Sequence, residues 1–131
     1  MVRGMSQQPR YVTSVLVEES RGVVTVTWGL GEVVPGPVEY FGYGVDYFGV
    51  DGNGGKRFGV RFHERATGHV FEWASATQAN YEPDSITASE DRIVAVYRDA
   101  SIGLDEVGTI SAFSHVNGTD VQTDLEVTLL R

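Results

Sequence analysis

Apolar and polar residues alternate one for one along much of this chain. In the clearest run Val121, Thr123, Leu125, Val127 and Leu129 fall on one side, and Gln122, Asp124, Glu126 and Thr128 on the other. Side chains of an extended strand point to opposite faces in turn, so a period of two predicts a strand with one face buried. Val24, Val26 and Trp28 against Val23, Thr25 and Thr27 give a second such strand. Phe58, Val60 and Phe62 against Arg57, Gly59 and Arg61 give a third. Helical periodicity is nearly absent.

The residues between these runs are turn formers. Asn117-Gly118 separates TISAFSHV from TDVQTDLEVTLL, and Asn-Gly supplies the two positive φ angles of a tight hairpin turn. Ser20-Arg21-Gly22 joins YVTSVLVEE to VVTVTW, and DGNGGK joins the aromatic run YFGYGVDYFGV to RFGVRFH. ERATG is expected as a loop between RFH and HVFEW. ASATQANYEPDS breaks the pattern and is assigned one helical turn, as is ASIGLDEVG; between and after them IVAVYRD and TISAFSHV resume the strand pattern.

The total is about eight short strands, the density of an all-β fold. Crossover helices for a parallel sheet are lacking. The expectation is therefore an antiparallel two-sheet β-sandwich with Ig-like or jelly-roll connections, spanning residues 11–131 as one domain behind a loosely tied segment 1–10. A succession of short strands closing on NGTDVQTDLEVTLL resembles the immunoglobulin-like domains of bacterial or phage proteins. The Cys, Trp, Cys core of antibody-type domains is missing, and no functional residue is carried over from the resemblance.

Composition removes several function classes. The chain has no cysteine, so disulfides, thiolate zinc sites and cysteine nucleophiles are out. Its 131 residues are enough to hold a core by packing alone. Formal net charge is −8, which repels a phosphate backbone and argues against nucleic acid. No stretch approaches the roughly 18 apolar residues of a membrane helix, so a soluble chain with no membrane partner is expected, its compartment unassigned.

For catalysis a nucleophile with its base, a carboxylate pair or a metal triad is needed, and none is legible. No GxSxG occurs, and the pairs Glu18-Glu19, Glu90-Asp91 and Asp105-Glu106 read as solvated charge. Asn117-Gly118-Thr119 matches a glycosylation sequon that the hairpin turn already accounts for. The chain is therefore expected not to be an enzyme and to need no cofactor.

Two metal readings are weak. His63, Glu64 and His69 flank the ERATG loop and carry the right donors for a divalent transition metal. Direct pairing of the histidines would put both on one face, whereas alternation sets His63 opposite Phe62 and His69 with Phe71 and Trp73; two polar residues flanking a surface turn is the plainer account. Asp51-Gly52-Asn53-Gly54-Gly55 opens like a calcium loop, but Gly55 stands at the fifth position and Phe62 at the twelfth, where oxygen ligands are required.

Aromatic residues carry the better hypothesis. Tyr40, Phe41, Tyr43, Tyr47 and Phe48 crowd one segment. Exposed rings stack on the C–H faces of sugars, and a carboxylate such as Asp46 accepts hydrogen bonds from hydroxyls, so Tyr43, Asp46, Tyr47, Phe48, Asp51 and Asn53 form the candidate binding set. About half of those rings are expected in the core. Because Tyr43, Val45 and Tyr47 share one parity and Phe48 and Val50 the other, both faces of the segment are apolar, which also suits burial against a protein partner or a second copy of the chain. The leading expectation is a structural or protein-interaction module, with polysaccharide binding as its alternative.

Overall fold

Arg21-Gly22 and Asn117-Gly118 both adopt two successive positive φ values, 52° and 79° in the first pair and 53° and 81° in the second. A turn of that twist matches the right-handed twist of the strands it joins, so each closes a two-residue hairpin. In the computed structural model, which describes residues 8–81, 85–98, 104 and 106–131, these are the reversals between β1 (Arg10–Ser20) and β2 (Val23–Val33) and between β9 (Thr109–Val116) and β10 (Thr119–Leu125). The other strands are β3 (Phe41–Phe48), β4 (Lys56–His63), β5 (Arg65–Glu72), β6 (Thr77–Tyr81), β7 (Ile86–Ala88), β8 (Arg92–Arg98) and β11 (Thr128–Leu130). They form a five-stranded sheet, β11-β1-β2-β8-β7, and a six-stranded sheet, β10-β9-β3-β4-β5-β6. Every pairing is antiparallel except that of β11 with β1.

The two sheets share one core. From the five-stranded sheet it takes Val15, Val17, Val24, Val26, Trp28, Ile93 and Tyr97; from the six-stranded sheet Phe41, Tyr43, Val45, Tyr47, Phe58, Val60 and Phe62. The alternate residues seen in the sequence on β2 and β4 are thus the buried ones, whereas in the run from Val121 to Leu129 none is buried and Thr123 is exposed. Each fully buried side chain of this size contributes on the order of 1.5–3 kcal/mol. Two of the largest also carry polar tips that find partners across the core: Trp28 Nε1–H donates to the Gly44 carbonyl at 3.4 Å, and Tyr97 O–H to the Gly59 carbonyl at 2.8 Å. Gly44 and Gly59 face each other in the β3–β4 ladder, so both bonds anchor the middle of the six-stranded sheet from beneath.

Several expectations are corrected. Eleven strands are present among the described residues rather than about eight, because three short edge strands escape the pattern. TQANY, assigned to a helical turn, is β6, held by its ladder to β5. Residues 82–84, and most of ASIGLDEVG, lie outside the described residues. The long final run is not one strand: Asp124 turns to φ 55°, the β10–β9 register shifts on either side of Gln122, and the chain leaves the six-stranded sheet to enter the other as β11. ERATG is no loop, since only Glu64, at φ 70°, stands outside the ladder and His63 pairs directly with Arg65. β1 starts at Arg10, and residues 1–7 lie outside the described residues. Among those described, no helix is long and apolar enough to cross a membrane.

Candidate functional site

With Phe41, Tyr43, Val45 and Tyr47 turned into the core, the other parity of β3 faces outward as Gly42, Gly44, Asp46 and Phe48. The ladders extend that face across the sheet in rows. Ser111, Asp46, Arg57, Phe71 and Gln78 form one; Phe113, Gly44, Gly59, His69 and Asn80 the next; His115, Gly42, Arg61 and Thr67 a third. Over these rows lies a concavity of about 1040 Å³.

Glycine shapes its floor. A Cβ on Gly44 would overlap the far edge of the Phe113 ring, one on Gly59 the imidazole of His69, and one on Gly42 the imidazole of His115. Each ring therefore leans across the ladder over its glycine partner, a packing only a residue without Cβ permits. Phe113 and His115 lie nearly parallel, 23° apart with centroids at 6.3 Å.

Charge is ordered on top of this floor. Arg57 binds Asp46 through two contacts, Nε to Oδ1 at 2.6 Å and a terminal nitrogen to Oδ2 at 2.9 Å. Its guanidinium sits 4.5 Å from the Phe113 centroid and 5.4 Å from that of Trp73. Arg61 lies 4.4 Å from the centroid of Tyr40. Burial, with help from Arg57, His115 and Arg61 and against Asp46, pushes the His69 imidazole down to about 4, so it is neutral near pH 7. Burial lowers His115 as well, Asp120 opposing and Arg61 and Arg57 assisting. The Nδ1 atom of His115 and the Nε1 atom of Trp73 are buried without a hydrogen-bond partner.

The residues singled out from sequence scatter. Tyr43 and Tyr47 are 2% and 1% exposed and belong to the core. Asp46 lies in the concavity. Phe48 is 37% exposed and stacks on Trp73 at 5.5 Å, at one end of the same face. Asp51 and Asn53 occupy the exposed β3–β4 tip, where the Asp51 carboxylate accepts the Asn53 N–H at 2.9 Å, a bond that lowers its pKa. His63 and His69 both face outward and line the concavity, but His63 pairs with Arg65 and His69 with Gly59, two rows apart. Glu64 faces a second, mainly apolar groove of about 670 Å³ at the end of the sheets, with Val33, Pro35, Val38, Phe41 and Phe62. Among the described residues no three His, Cys, Asp or Glu side chains group as metal ligands.

Arg57, Arg61, Phe113, His115, Gln78 and Asn80 went unnoticed as site residues. For β4 the signal was present, because the parity that buries Phe58, Val60 and Phe62 must turn Arg57 and Arg61 outward. Nothing local in the sequence ties His115 to this face; the β3–β9 ladder brings its hairpin alongside. Comparison with protein-family models, with curated proteins and with solved structures finds no match to this chain.

Proposed function

We propose that the outer face of the six-stranded sheet binds carbohydrate, and that the chain is a non-catalytic glycan-binding module. The observation carrying this reading is the concavity itself: flat groups, Arg57 on Phe113 and Arg61 on Tyr40, stand among the amide and hydroxyl side chains of Gln78, Asn80, Thr67 and Thr123. A sugar presents apolar C–H patches ringed by hydroxyls that both donate and accept. Planar stackers next to amides answer both demands. The scaffold is read as a β-sandwich, supported by the shared core; its four-strand meander β3–β6 is absent from the ABED and CFG order of immunoglobulin domains.

Trp73 packs against Arg57, so an occupied face should change its emission. Titration with a panel of plant, fungal and bacterial oligosaccharides is expected to give at least one saturable change, lost in Gln78→Ala/Asn80→Ala. Flat titrations across the panel would end the carbohydrate reading.

A second reading, the structural or protein-interaction module expected from sequence, is favoured by Val50, 68% exposed beside the exposed Phe48. Under it the molecular mass in solution, measured by light scattering over a range of concentrations, exceeds that of one chain, and Phe48→Ser/Val50→Ser restores the monomer. A monomer at every concentration removes self-association from this reading.

A further inference from the structure

We infer that the face selects an acidic sugar, a uronic acid whose carboxylate is held at the Tyr40 end by Arg61 and Arg65. The inference rests on the carbohydrate reading and names its ligand class.

The argument starts from which charges are already used. Arg57 is closed by Asp46. Among the described residues neither Arg61 nor Arg65 has a carboxylate within ion-pair distance, although the chain carries eighteen acidic residues. Both are exposed and both line the concavity, Arg61 two rows from Asp46 and Arg65 across the ladder from His63. Arg61 lies 4.4 Å from the Tyr40 ring centroid, a cation–π contact, and among the described residues its N–H groups meet no hydrogen-bond acceptor. A planar fork of donors held this way matches a carboxylate, which accepts two parallel N–H bonds.

The rest of the ligand follows from the same face. Arg61 pairs across the ladder with Thr67, and the next strand carries Asn80. A ring anchored by its carboxylate at Arg61 therefore has hydroxyl and amide partners within the same concavity. A neutral sugar there would cover a guanidinium without pairing it, a cost that a uronate converts into a charge-assisted bond.

The test uses pairs of ligands that differ in the charge of the carboxyl group: oligosaccharides of galacturonate, glucuronate and mannuronate, each beside its methyl ester, titrated calorimetrically into the full chain, with neutral glycans and inorganic sulfate alongside. For at least one pair the acid is expected to bind about tenfold or more tighter than the ester. Arg61→Ala should erase that difference, bringing acid and ester to one affinity, and Arg61→Lys should recover only part of it, because an ammonium lacks the fork. Acid and ester binding equally, or a difference that survives Arg61→Ala, overturns the inference and leaves the carbohydrate reading standing. Sulfate binding in an Arg61-dependent manner with no sugar bound overturns both. Arg61 is an exposed side chain, so its variants should melt with the parent, and a common melting temperature certifies the comparison.

Discussion

Gln122 offers the sharpest test of how the two sheets are joined. It sits in β10, yet its side chain reaches the backbone of β1: Oε1 accepts the Val12 N–H at 2.8 Å and the Ser114 hydroxyl at 2.9 Å, and Nε2–H donates to the Val12 carbonyl at 3.2 Å. Val12 lies between two register shifts of the β1–β2 ladder, where the amide acts as one rung of a missing strand. Gln122→Ala removes three hydrogen bonds worth about 1 kcal/mol each and strands two backbone groups in a half-buried place. A loss of about 2–3 kcal/mol follows, equivalent to a melting temperature about 6–12 °C lower for a chain of this size. Urea unfolding followed by the emission of the fully buried Trp28 measures it. Gln122→Glu keeps both acceptors but sets a carboxylate against the Val12 carbonyl. It should be as destabilised at pH 7 and recover as acid protonates the new group, because the proton restores the donor. A loss below about 0.5 kcal/mol for Gln122→Ala would refute the reasoning, as would a Gln122→Glu variant indifferent to pH.

Two further outcomes follow from the fold. Tyr47→Ala empties a fully enclosed site and should cost about 3–5 kcal/mol, whereas Phe48→Ala, next in sequence on the outer face, should cost about 1 kcal/mol or less; equal losses in urea unfolding would contradict the assigned faces. His69 is held neutral in the fold, its pKa at about 4 against an ordinary 6.5. Below pH 6.5 the unfolded chain therefore binds the proton first, and stability falls by about 2–3 kcal/mol as pH drops from 6.5 toward 4. His69→Phe keeps a ring over Gly59 without a titrating group, so its stability profile across that window should be flatter; an unchanged slope would place the titration elsewhere.

Much of this molecule was legible before folding. Strand parity named the buried set on β2 and β4 but left the buried face of β3 open, and two dipeptides with positive φ marked the β1–β2 and β9–β10 hairpins. Both signals are local, because alternation follows from the pleat and the turns follow from φ preferences. What the pattern missed depended on partners. TQANY is a strand only because β5 offers it a ladder, and the run through Asp124 divides only because each half has a different sheet to join.

The site divides the same way. Sequence by itself determined that Arg57 and Arg61 turn away from the core, since each is flanked by buried neighbours of the opposite parity, whereas it grouped Asp46 with Tyr43 and Tyr47, which face the other way. It could not determine that Asp46 meets Arg57, that Phe113 lies over Gly44, or that the chain's three histidines line one concavity. Those are matters of register and sheet order, set by strands far apart in the chain. A period of two assigns each side chain a face; only the tertiary pairing of strands decides which neighbours it finds there.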